Sequence, residues 1–493
     1  MRAEIARGAA WMVLFRLFDR SIGIVSTSFL ARLLVPADFG LVAMAMSVIA
    51  IVELATAFSF EIALIQKPDP QREHFDTAWT LNILIATAGA AVTVALAWPT
   101  ARFYGDERLG AVMLAIAGAW LVSGFENTGT VNFRRAMNFS AEFRWMASKR
   151  LISFVVTLVA AFTLRSYWAL VIGMATGRVS GVAVSYLVHP FRPRASLSKA
   201  RELFSFSGWV LANNIATVIF GRLPQIYVGR AFGAEPLGAY TVGSEIAQLP
   251  HTELVAPINR AMFPGYARLL GDRPAFRKVC VEATSVLLMI VLPVSAAVAI
   301  LAGPIVRFLL GAQWWQAVPV IQILALAGAF TALNANTIAA FFALGQPRVP
   351  TIALVVRVAV FVIAIAAFAR GRGMFAVAYA ELLAAAVTLL VSTPLLLSTL
   401  HITARDYASA LWRPLVATAF SAGLVNAVAG AGGPVASFTT AVAQLVGGLA
   451  IGAASYPALL WILWYVSGRP QGAETAIGRR VRSAVLGLRR RPA

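Results

Sequence analysis

Runs of about 20 apolar residues, broken by short polar segments, recur along the whole chain. Each is long enough to cross the roughly 30 Å hydrocarbon core of a bilayer as one helix. Reading the chain in such windows predicts about fourteen spans, centred near residues 21, 53, 89, 121, 157, 178, 218, 251, 291, 331, 361, 387, 420 and 450. The connections are mostly under about 17 residues, which leaves no room for a separate soluble domain. The expected class is an all-α integral membrane protein, and its function has to lie within the helices.

Composition agrees with the pattern. Hydrophobic residues make up 59% of 493 residues and charged residues 13%, outside the soluble-domain mixture. The formal net charge of +20 is first a statement about topology, because cytoplasmic loops collect Lys and Arg. With the N-terminus inside, most basic residues fall in cytoplasmic segments, among them "RRAMNFSAEFRWMASKR", "HPFRPRASLSKAR", "YARLLGDRPAFRK" and "GRRVRSAVLGLRRR". These segments attract anionic lipids, and no nucleic-acid partner is needed to explain them. An even number of spans places both termini in the cytoplasm. The opening "MRAEIARGAAW" lacks a small-residue cleavage site, so residues 8–34 read as a permanent first span. Cys280 is the single cysteine, which excludes a disulfide framework or a thiolate metal cluster.

Self-comparison exposes an internal repeat at an offset of 198. Trp11 aligns with Trp209, Gly23 with Gly221, Arg32 with Arg230 and Gly40 with Gly238, so "ARLLVPADFGLVAMA" lies over "GRAFGAEPLGAYTVG". Further on, "RLISFVV" from Arg150 matches "RVAVFVI" from Arg357 at an offset near 207. Six spans per half is an even number, so the repeat is parallel, about an axis along the membrane normal. The expected domains are a six-helix bundle over 1–200, a second over 201–404, two additional spans over 405–467, and a basic cytoplasmic tail over 468–493.

Charge inside the spans is the informative chemistry, because a charged side chain at mid-bilayer costs about 2.5 to 3.5 kcal/mol on insertion scales. The first span carries Arg16, Asp19 and Arg20, three or four residues apart and so on neighbouring positions of one helix. The seventh carries Arg222. Guanidinium is always charged and binds phosphate through paired hydrogen bonds, so Arg16, Arg20 and Arg222 are candidate ligands for an anionic substrate. Asp19 is the expected local counter-charge of this patch. Glu53 and Glu61, and likewise Glu245 and Glu253, are eight apart, roughly one side of a helix two turns apart, and are candidates for charge tuning or ion coupling. Asn213, Asn214 and Gln248 are candidates for hydrogen bonds to sugar hydroxyls. Pro250 and Pro257 free backbone carbonyls and allow bending. Trp314 and Trp315 in "GAQWW" read as part of an interfacial aromatic belt. No catalytic residue set, metal-ligand spacing or phosphate-binding Gly-rich loop is present, so the chain does not read as an enzyme.

"LARLLVPADFGLVAMAMSVIAIVELATAFSFEIALIQ", "NFRRAMNFSAEFRW", "LPHTELVAPINRAMFPGYARLLGD", "FLLGAQWWQAVPVIQILALAGAF" and "ALGQPRVPT" carry a resemblance. The chain resembles the polysaccharide-transport branch of the multidrug/oligosaccharidyl-lipid/polysaccharide flippase superfamily, from about residue 5 to 400. The resemblance implies a V-shaped pair of six-helix bundles around a central cavity in a bacterial inner membrane. It implies, as substrate, an oligosaccharide repeat unit on undecaprenyl diphosphate, destined for O-antigen, capsule or exopolysaccharide. Arginines on spans one and seven would meet the diphosphate, and Arg16, Arg20 and Arg222 fall there. Since Asn214 and Val218 stand at the equivalents of Arg16 and Arg20, the implied site is asymmetric. No cofactor is implied, while coupling to protons, sodium or membrane potential stays open. Partners would be the lipid-linked oligosaccharide, with a polysaccharide polymerase and glycosyltransferases acting beside it. A peptidoglycan-precursor flippase, a multidrug exporter and a membrane-embedded polymerase remain as alternatives.

Overall fold

The computed structural model describes residues 2–55, 60–203, 221–368, 373–433, 435, 437–470 and 475. The described chain is nearly all helical. It divides into two compact units, Met1–Thr241 and Val242–Ala493.

The first unit holds α1 (Arg2–Leu33), α2 (Pro36–Ala55), α3 (Phe60–Gln66), α4 (Arg72–Tyr104), α5 (Arg108–Ser123), α6 (Val131–Arg135), α7 (Phe139–Leu164), α8 (Trp168–Val188), α9 (221–232) and the start of α10 (Ala234–Pro250). The second continues with α11 (Ala256–Arg268), α12 (Arg273–Ile300), α13 (Ala302–Leu309), α14 (Ala317–Ala343), α15 (Arg348–Phe368), α16 (Phe375–Leu400), α17 (Ala404–Ala431) and α18 (Phe438–Val466). Among the described residues ten helices are long and apolar enough to cross a membrane, or eleven if the bent pair Arg108–Ser123 and Thr128–Arg135 is one span. The sequence-derived centres without one of the ten are 21, 121, 218 and 251. Centre 21 lies in α1, whose length is ample but whose charged residues hold its hydropathy down. Centre 121 lies in the bent pair, 218 lies outside the described residues, and 251 falls at a π-helical turn, His251–Val255.

The "ARLLVPADFG" segment shows how the sequence makes a tight helix junction. Pro36 starts α2 at the one position where a missing N–H costs nothing. Asp38 reaches back to accept from the Val35 backbone N–H at 3.1 Å, and its other carboxylate oxygen accepts from the Tyr167 N–H at 3.0 Å. One carboxylate thus caps α2 and ties it to the turn between α7 and α8. Leu30 and Leu34 close the same corner against Ala160, Ala161 and Ala169.

Two repeat-related glycines meet nearby. A Cβ on Gly40 would lie 1.7 Å from the Ala234 carbonyl oxygen, and a Cβ on Gly238 would lie 1.8 Å from the Pro36 carbonyl oxygen. The contact is reciprocal: positions 36 and 40 of α2 meet positions 234 and 238 of α10, each pair separated by the sequence offset of 198. Both helix starts approach backbone to backbone, which only glycine permits at that distance.

In the second unit the core is tied by buried polar contacts. Tyr266 Oη donates to Asn336 Oδ1 at 2.7 Å, and Asn336 Nδ2 donates to Thr284 Oγ1 at 2.8 Å. Ser392 donates to Asn334 at 2.6 Å. These bonds join α11, α12, α14 and α16 where no water can substitute. The helix α18 is apolar all round yet only 6% of its most hydrophobic window is buried, the character of a surface facing lipid. Trp314 corrects the expected aromatic belt. The 3-10 turn Ala312–Trp314 after Gly311 (φ 103°) turns it fully inward, leaving Trp315 exposed.

Candidate functional site

The helix α1 is seated on α7 by aromatic packing. Trp11, Phe15 and Phe18 surround Phe143 with ring centroids 5.1, 6.2 and 6.0 Å away. At about 100° per residue, these three share one face, and Arg16 and Arg20 point about 150° away from its centre. The residues expected to hold an anion are therefore on the side of α1 turned from its seat in the bundle. Arg16 is exposed and Arg20 half-buried.

Asp19 lies on the flank between the two faces and takes a partner the spacing did not predict. Its Oδ1 stands 2.9 Å from Nε of Arg150 on α7. The Arg150 Nε–H is not aligned on an acceptor, so the contact is an ion pair more than a directed hydrogen bond. Both side chains are half-exposed, at 47% and 40%.

The carboxylates of the first expected pair take different arginines. Glu53 on α2 pairs with Arg178 on α8. Glu61 lies in α3, which is described from Phe60, while α2 is described to Ala55 and residues 56–59 lie outside the described residues. Its partner is Arg134, at 3.3 Å, and Arg134 also donates to Glu142 at 2.5 Å. Glu53 and Glu61 thus take different partners, Arg178 and Arg134. The neighbouring Arg135 donates to the carbonyls of Leu64 and Lys67, and to Pro68 at 3.3 Å. It closes the end of α3, where helical carbonyls lack partners.

On α9, Arg222 Nη1 donates to Gln225 Oε1 at 2.9 Å, one turn along the same helix. Glu245 and Gln248 are both exposed on α10. Glu253 lies beyond Pro250, in the π-helical turn His251–Val255 that ends where α11 begins. Pro250 and Pro257 bracket this turn, as expected of a proline-freed backbone. The register between Glu245 and Glu253 is then not that of one continuous α-helix, which removes the basis for reading them as a stacked pair. Val255 anchors the turn against Leu287, Val291 and Ala332. Asn213 and Asn214 lie outside the described residues.

Residues 29–319 match the polysaccharide biosynthesis protein family, more than half of the chain. The chain belongs to this family. Among relatives of this polysaccharide biosynthesis protein, the succinoglycan biosynthesis transport protein ExoT of Rhizobium meliloti (strain 1021) is 25% identical over 327 residues, 65% of this chain and 66% of ExoT. The lipopolysaccharide biosynthesis protein WzxC of Escherichia coli (strain K12) is 21% identical over 336 residues, covering 66% and 68%. The match thus spans about two thirds of each relative's length. Among solved structures, the lipid II flippase MurJ in an inward closed conformation aligns with a TM-score of 0.69 at 13% identity, covering 93% of this chain and 99% of that one. An inward-facing multidrug resistance MATE family transporter aligns with a TM-score of 0.52 at 16% identity, over 78% and 96%. At such identities the likeness is one of fold.

Sequence reading of this polysaccharide biosynthesis protein missed Arg150 as the partner of Asp19, and Arg134 and Arg135 as structural residues. All three sit in the basic stretch from Arg134 to Arg150, which the positive-inside rule accounts for as topology. A signal was available for Arg135. Helix C-termini favour a following cation, and α3 ends on "IALIQKP" with no glycine to close it.

Proposed function

We propose that this protein is a flippase that moves undecaprenyl-diphosphate-linked oligosaccharide repeat units across the bacterial inner membrane by alternating access, with both termini cytoplasmic. Membership of a polysaccharide biosynthesis family supports the sugar, and the relative ExoT, named as a transport protein, supports translocation. The carrying observation is the placement of Arg16 and Arg20 on the face of α1 turned from its aromatic seat. Two permanent cations on a helix otherwise matched to the bilayer suit a diphosphate, whose charge outlasts any change of pH in the cell.

In this reading Arg16, Arg20 and Arg222 hold the diphosphate while the polyprenyl tail stays in lipid. Asn213, Asn214 and Gln248 bond sugar hydroxyls. Glu245 and Glu253, flanking the π-helical turn, carry charge tuning or ion coupling. Asp19, Glu53 and Glu61 set the positions of the helices through Arg150, Arg178 and Arg134. The test is complementation of a strain lacking the protein, with Arg16→Ala, Arg20→Ala and Arg222→Ala each measured at normal protein level. Loss of surface polysaccharide is expected. Unchanged export by all three variants would remove the assigned site.

A further inference from the structure

We propose that a cavity at one end of α12, α17 and α18 binds the phosphate headgroup of an anionic phospholipid. The cavity measures about 670 Å³, within the size of small-ligand pockets, roughly 300 to 1,000 Å³. It is built wholly within the second compact unit. One face of the first turns of α12 supplies Arg277 and Lys278, the start of α17 supplies Arg413, and the turn between α16 and α17 supplies His401. The Ser285 hydroxyl donates to the Ala410 carbonyl at 3.0 Å, joining α12 to α17 beside the cavity.

The charges favour an anion. Of the two acids on the wall, Glu282 and Asp406, Asp406 accepts from the Thr403 hydroxyl at 2.6 Å in capping the start of α17. Arg413 is buried, at 7% exposure. The Nε of Arg277 is buried with no hydrogen-bond partner among the described residues, an expensive arrangement for a guanidinium donor unless a ligand oxygen meets it.

Position favours a lipid over a free anion. The cavity lies at the ends of three helices that pass the membrane test, with Trp412 in its lining, a residue type enriched where headgroup meets acyl chain. Within two turns of the lining residues along α17 and α18, Leu415, Val416, Trp461 and Ile462 are exposed apolar side chains, a surface that suits acyl chains. The start of α12 is the basic segment "GDRPAFRK", which the positive-inside rule gives to the leaflet facing the cytoplasm, where basic pockets between helices take anionic headgroups. The inference does not depend on the flippase reading.

Native mass spectrometry of the full chain released from detergent tests it, with phosphatidylglycerol, phosphatidylcholine and inorganic phosphate as probes. Wild type is expected to retain phosphatidylglycerol over phosphatidylcholine. Arg277→Gln with Lys278→Gln should reduce that excess by about fivefold per charge removed. Glu282→Gln should increase it, a gain that a misfolded variant would not give. Equal retention of the two lipids, or an excess untouched by the double substitution, would overturn the proposal. Displacement of phosphatidylglycerol by inorganic phosphate alone would overturn the lipid assignment.

Discussion

Gly40 and Gly238, related by the 198-residue offset of the sequence repeat, pack against each other's helix starts in the folded chain. The atoms opposing a Cβ are backbone carbonyls, which cannot swing aside as a side chain would. Gly40→Ala or Gly238→Ala should therefore destabilise by at least about 1 to 3 kcal/mol, the cost of overpacking, read as a fall in thermal midpoint of the purified protein. Because separating the helices relieves both clashes at once, the double substitution should cost less than the sum of the two.

The Asp19–Arg150 ion pair makes a different prediction. The side chains are half-exposed, so the pair should stabilise by no more than about 1 kcal/mol. If Asp19 acts by placing α1 against α7, then Asp19→Asn and Arg150→Gln should depress export to the same degree, and their combination should add little further loss. An additive double variant would give Asp19 a role apart from Arg150.

Asn336 is the joint of a buried chain, accepting from Tyr266 and donating to Thr284. Asn336→Leu leaves the buried Tyr266 hydroxyl without this acceptor, at about 1 to 3 kcal/mol for the group left unsatisfied, and takes one donor from Thr284, whose own hydroxyl still donates to the Cys280 carbonyl at 3.0 Å. Tyr266→Phe removes a single donor and should cost less. Thermal unfolding of the two variants side by side measures the ordering.

Asp106, in the connection between α4 and α5, accepts from Arg108 through both carboxylate oxygens, Nε at 3.0 Å and Nη2 at 2.7 Å. The Arg108 guanidinium holds its carboxyl below the usual range, against an opposing push from burial. A lowered native value means that the stabilisation is full above the unfolded value, about 3.9, and is lost as pH falls through the native one. The stability gap between wild type and Asp106→Ala should be constant near neutrality and close on acidification.

The sequence disclosed what depends on local pattern. Apolar runs marked the ten helices that pass the membrane test, and the spacing of Arg16 and Arg20 put them together on one helix. The Gly40–Gly238 contact joins two positions that the repeat offset aligns. What stayed hidden needed knowledge of which distant helices meet. Helical periodicity says that Asp19 flanks an aromatic face, but not that the face rests on Phe143, which sets Arg150 beside the carboxylate. The same limit concealed that Glu61 serves Arg134 on α6 while Glu53 serves Arg178 on α8. The π-helical turn after Pro250 shifts register without any change in hydrophobicity, so Glu253 looked continuous with Glu245.

The central claim is translocation, and the leaflet holding the lipid-linked oligosaccharide in cells lacking this protein tests it most directly. Membrane-impermeant modification of the glycan in spheroplasts, compared with modification after permeabilisation, reports that leaflet. Accumulation on the cytoplasmic leaflet, reversed by the wild-type chain and not by an Arg16→Ala, Arg20→Ala variant, is the predicted result. Accumulation on the outer leaflet would contradict the flippase account and point to a later step, polymerisation of units already exported.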